Sequence, residues 1–179
     1  MINCPILEEL LVLVMGPLVQ CVFYYFFKDL LMTPYQTKLF TTIHYNILVF
    51  NLLPIYPLDG GRIIEVLLCY FMSYQDSYKV TFLISYLSLL LIFIFFLVYP
   101  STYFLLMFIL ILLRLIKEKK YLKYYYERFL LERYLKKLVY KKRKIVRSEK
   151  KFRREYSHII KNGDWYQSEE EYLKDKYVY

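Results

Sequence analysis

The chain has 179 residues, 58% of them hydrophobic, yet it carries a formal net charge of +9. That pairing excludes an ordinary soluble domain with its charges spread evenly, and requires apolar and basic residues to be segregated along the chain. They are: residues 1–116 hold five Lys/Arg against six Asp/Glu, residues 117–154 hold seventeen against four, and residues 155–179 hold three against six.

Leu10–Phe27 is an uncharged apolar run long enough to span a hydrocarbon core of roughly 30 Å. Gly16-Pro17 lies inside it. Proline there frees a backbone carbonyl and predicts a kink, which lipid tolerates only where neighbouring protein covers it. Leu39–Leu58 follows, apolar but broken by Thr41, Thr42, His44, Asn46, Asn51, Pro54 and Pro57. Those residues suit an irregular helix that lines a cavity and unwinds near Pro54. Gly60–Lys79 reads as a loop or amphipathic re-entry at the membrane surface. Val80–Tyr99 reads as an uninterrupted span, and Thr102–Ile116 as a shorter one anchored by Arg114 and Lys117.

The Lys/Arg cluster after the last span places the tail on the cytoplasmic side, and four crossings put Met1 and the Asp59 loop on that side too. Tyr121–Lys144 carries Leu122, Tyr125, Phe129, Leu130, Tyr134, Leu138 and Val139 near helical spacing, with basic residues between. A basic amphipathic helix is expected there. Its cluster Lys141, Lys142, Arg143 and Lys144 is the expected contact with anionic lipid headgroups. No recognition fold accompanies the charge, so nucleic acid is not an expected partner. Lys161–Asp164 reads as a turn and the acidic end as helical or disordered. The fold class expected is all-α: a polytopic membrane helix bundle of about four segments, one irregular, over residues 1–116. A basic then acidic cytoplasmic tail, partly helical, follows over 117–179.

Cys4, Cys21 and Cys69 are widely spaced, which argues against a disulfide framework and against a structural zinc site. Glu8 and Glu9 stand where a secretory signal would carry basic residues. The strongest chemical signal is Asp59, a carboxylate within an apolar region, where such a group needs a partner or a metal. Pro54 and Pro57 before it, and Gly60 and Gly61 after it, break helical regularity and let backbone approach closely.

The string Asn51-Leu-Leu-Pro54-Ile-Tyr-Pro57-Leu-Asp59-Gly60-Gly61-Arg62 resembles the second signature of the site-2 proteases, intramembrane zinc metalloproteases. Met15-Gly16-Pro17-Leu18 resembles that family's Ala-Gly-Pro-Leu helix. His44-Tyr45-Asn46 and Arg128-Phe129-Leu130-Leu131-Glu132-Arg133-Tyr134 resemble stretches of its sporulation branch. The resemblance implies that Asp59 is the third protein ligand of a catalytic zinc, and that Asn51 and Pro54 shape the cavity beside an extended substrate. It also implies peptide-bond hydrolysis by zinc-bound water. The implied substrate is a membrane-associated protein, in the sporulation branch a pro-sigma factor.

A catalytic zinc takes three protein ligands and keeps a position for water. In this family two ligands and the general base come from His-Glu-x-x-His, and no such string is present. The two histidines are His44, expected to pack, and His158, expected to be solvated in the charged tail. Two explanations stand open: a truncated chain whose upstream portion carries the motif, or a pseudoprotease that serves as a membrane interaction scaffold. On either, the 179 residues alone are expected to hold no tight zinc and to cleave nothing. The branch's regulatory domain is not expected in a tail this short and charged.

Overall fold

The computed structural model describes residues 3–30, 33–138, 140–163 and 165–178. Six helices carry most of the chain: α1 (Ile6–Phe27), α2 (Pro34–Asn51), α3 (Asp59–Phe71), α4 (Tyr74–Val98), α5 (Thr102–Lys136) and α6 (Glu169–Val178). Between α5 and α6 lie three strands, β1 (Lys142–Val146), β2 (Tyr156–Asn162) and β3 (Trp165–Ser168). The all-α expectation is therefore corrected to a mostly helical chain with a small mixed sheet. β1 pairs parallel with β2, and β2 antiparallel with β3.

Helices α1 and α4 are long and apolar enough to cross a membrane. Their large apolar side chains are widely exposed, as at Leu11, Val12, Leu90 and Leu91. α1 runs through Pro17 without a break and begins at Ile6, earlier than its apolar run alone suggests. α2 begins at Pro34, whose fixed φ suits the first helical position, and the Thr33 side chain accepts from the Gln36 amide. α2 ends at Asn51, and the chain is non-helical as far as Leu58.

Two expectations merge and one is redrawn. The short span at 102–116 and the amphipathic tail helix form a single helix, α5, of 35 residues. At 1.5 Å per residue it is roughly 52 Å long, more than a bilayer core needs. It stops at Lys137 in a left-handed cap (φ 43°), not at Lys144. Lys142, Arg143 and Lys144 belong to strand β1 and Lys141 to the bend before it, so the basic cluster is not helical. The physical reason is long-range: Ile145 and Val146 pair with Ile159 and Ile160, an arrangement that no local periodicity reveals. Val139, Asp164 and Met1 lie outside the described residues.

The tail packs back on the bundle. Val146, Phe152, Ile160 and Leu173 are buried with Phe129 and Leu130 of α5. α6 opens with a reciprocal capping box: the Glu171 amide donates to Ser168 Oγ, and the Ser168 amide donates to Glu171 Oε2 at 3.1 Å.

Candidate functional site

Asp59 opens α3 and is half-buried. Its carboxylate at a helix N-terminus is favoured by the unpaired amides there. Across from it stands Gly16 of α1: a Cβ built on Gly16 would lie 3.8 Å from Asp59 Oδ2. The Gly-Pro helix and the Asp-Gly-Gly turn, 43 residues apart in sequence, therefore meet at the carboxylate.

The segment 52–58 folds over the start of α3. A Cβ on Gly60 would come closer than 3.0 Å to the backbone of Leu52 and Leu53. One on Gly61 would do the same against Ile55 and Tyr56. Both glycines are buried, so only a residue without a side chain fits either position. The Tyr56–Pro57 peptide bond is cis.

α4 anchors this segment. The Tyr56 amide donates to Ser85 Oγ at 2.9 Å, and Ser88 Oγ lies 3.5 Å from the Pro54 carbonyl oxygen. Ser77, Thr81 and Ser85 form a buried stripe along α4, each hydroxyl donating to a carbonyl one turn back. Small hydroxyl residues allow close helix approach in apolar surroundings. The reading of residues 80–99 as uninterrupted apolar span overlooked the stripe, although its spacing of four was the signal.

Asn51 is the last residue of α2, half-buried, and Pro54 lies in the unwound stretch beside it. His44 is buried, but its ring stacks on Tyr24 of α1, 4.2 Å between centroids. Tyr24 lies eight residues beyond Gly16, roughly 12 Å along α1, so His44 does not join Asp59. Among the described residues no group of three His, Cys, Asp or Glu side chains could hold a metal ion. Gly16, the residue facing Asp59, brings no donor at all. The donors among the described residues do not by themselves fit a zinc centre.

His158 corrects a second expectation. It is 2% exposed, stacked on Phe152 at 4.4 Å, and accepts from the Arg153 amide through Nε2. Its Nδ1 faces Glu169 Oε2 at 3.0 Å. Burial outweighs the carboxylate and lowers the imidazole's pKa, so a neutral ring with its proton on Nδ1 satisfies both contacts. Burial works to raise the Glu169 carboxyl, but hydrogen bonds from His158 and Arg133 outweigh it and hold it low. Arg133 is itself buried and also donates to the carbonyls of Arg153 and Tyr156. Arg133 thus closes the tail onto α5, a structural role for the Arg128–Tyr134 stretch.

Residues 32–95 match the model of peptidase family M50. That stretch takes in α2, α3 and most of α4 but not Gly16. The chain is also 29% identical over 138 residues to stage IV sporulation protein FB of Bacillus subtilis (strain 168), an alignment covering 74% of this chain and 48% of that protein. The chain spans about half the length of the curated relative it matches. Asp59 and both glycines lie within the stretch 32–95 that is similar to peptidase family M50.

Proposed function

We propose that this chain carries the Asp59-bearing half of a site-2-type intramembrane metalloendopeptidase acting on a membrane-associated protein. The observation that carries the reading is the meeting of Asp59 with Gly16 behind a turn that only glycine at 60 and 61 permits. In this reading Asp59 is a metal ligand, and Asn51 and Pro54 border the cleft for an extended substrate. Zinc is the family's metal, and the remaining ligands and the general base are not supplied by the described residues. By analogy with the sporulation relative, the substrate is a pro-sigma factor. Alone, the 179 residues bind substrate without hydrolysing it.

The topology proposed has four spans, α1, α2, α4 and the first part of α5, with the tail cytoplasmic. The contact of Ile6 with Glu155 and of Tyr74 with Phe152 supports it, because it brings the starts of α1 and α4 to the tail's side. Gly16 lies six residues into the apolar run that begins at Leu10, roughly 9 Å along α1, which supports a position for Asp59 inside the hydrocarbon core. Lys141, Lys142 and Arg143 are exposed and are proposed to meet anionic headgroups.

The in-frame coding sequence upstream of Met1 tests the peptidase reading: a His-Glu-x-x-His string there supports it, and its absence defeats it for the gene. The second reading, a non-catalytic scaffold, is favoured by the mismatch between donor set and zinc. Substrate capture by the 179-residue chain separates the two, since a scaffold keeps full capture after Asp59→Ala whereas the cleft of a peptidase is perturbed.

A further inference from the structure

Pro5 precedes α1 and offers no side-chain acceptor to its first amides. The acceptor arrives from 149 residues away: the Ile6 amide donates to Glu155 Oε1 at 2.7 Å. Next to it, Arg154 donates to the Cys4 carbonyl at 2.7 Å and pairs with Glu9 of α1 at 2.6 Å. The Phe152 carbonyl accepts from the amide of Tyr74, the first residue of α4, at 2.9 Å. Tyr126 of α5 donates to the Glu149 carbonyl at 2.6 Å. The single stretch 149–155 thus ties the starts of α1 and α4 to the flank of α5.

The stretch holds costly conformations. Glu155 has φ 58°, a left-handed region that side-chain-bearing residues avoid. Arg154 is 3% exposed, yet its Nε has no hydrogen-bond partner among the described residues. Such features persist only where surrounding contacts over-determine them, and here those contacts run to α1. Beneath Arg154 lies a polar cavity of about 210 Å³, bordered also by Glu9, Arg62, Glu65 and Tyr78. Glu65 is buried there and makes no ion pair within 4.0 Å among the described residues. α1 is an unbroken helix, so fixing its first turn fixes Gly16 roughly 15 Å further on.

We propose that Arg154 and Glu155 are positioning residues: from the tail they hold α1 in the register that sets Gly16 against Asp59, and they close the cavity around Glu65. The relevance to chemistry at Asp59 rests on the peptidase reading, but the strap itself is tested without any proteolysis.

The probe is Cys69, 1% exposed, with its Sγ 3.0 Å from Ser77 Oγ and the Arg154 guanidinium beside it. In the full chain carrying Cys4→Ser and Cys21→Ser, a water-soluble maleimide is expected to label Cys69 slowly. Arg154→Ala and Glu155→Ala should each speed labelling about tenfold, in keeping with loss of one charge-assisted hydrogen bond. Lys137→Ala, at the surface of the tail, should leave the rate unchanged. Arg154→Lys, which keeps a cationic donor for Glu9 and the Cys4 carbonyl, should keep labelling slow. Wild-type labelling rates in both alanine variants overturn the proposal. If circular dichroism shows that the alanine variants fail to fold, Arg154→Lys decides: slow labelling supports the strap and rapid labelling overturns it. Because labelling is independent of cleavage, a failed strap and a failed peptidase assignment give different results.

Discussion

Gly16 and Asp59 face each other so closely that a Cβ on the glycine would lie 3.8 Å from the Asp59 Oδ2 atom. A single methyl group at that distance makes ordinary contact, whereas a larger side chain must displace the carboxylate or part α1 from α3. Gly16→Ala should therefore change thermal stability in detergent by less than about 1 kcal/mol. Gly16→Leu should cost about 1–3 kcal/mol through overpacking.

Gly60 and Gly61 have no such latitude. The atoms that a new Cβ would strike are backbone atoms of residues 52–56, which cannot swing aside as a side chain would. Gly60→Ala and Gly61→Ala should each destabilise the chain by at least about 1–3 kcal/mol. Lost protection of the segment 52–58 in hydrogen exchange would accompany the loss. Alanine at either position with wild-type stability would show that the turn is looser than described.

Arg133 and Glu169 form an ion pair with side chains 1% and 12% exposed. Removing one partner strands the other, so Arg133→Ala should cost about 3–5 kcal/mol. Tail residues 142–178 should then be cut first in limited proteolysis. Arg133→Met combined with Glu169→Leu should cost less than the two single changes added together, because neither buried charge is left unpaired.

His158 makes the tail sensitive to acid. Its folded pKa is lowered, chiefly by burial, so the folded state prefers the neutral ring. The associated stability is full above the unfolded value of about 6.5 and is lost as pH falls through it toward the folded pKa. Tail docking, followed by proteolysis between pH 7.5 and 5, should weaken on the acidic side. His158→Asn should flatten that dependence.

Local chemistry made part of this molecule legible in advance. Prolines and glycines around Asp59 announced a broken helix carrying a carboxylate, and α3 begins at that residue. Ser168 with Glu171 could have announced α6, because a capping box is written in two residues three apart. The tail's architecture was not legible. β1 and β2 pair in parallel across an intervening turn, and Glu155 caps a helix 149 residues away. His158 looked solvated because its neighbours in sequence are charged. In space Phe152, Arg133 and Glu169 enclose it, and charge density along a chain says nothing of that enclosure.

As proposed above, Asp59 is one ligand of a zinc centre that the described residues do not complete. Zinc content of the purified 179-residue chain, after dialysis against a weak chelator and compared with Asp59→Ala, measures this directly. The expected result is far less than one zinc per chain, unchanged by the substitution. One tightly held zinc per chain, lost in Asp59→Ala, would contradict it.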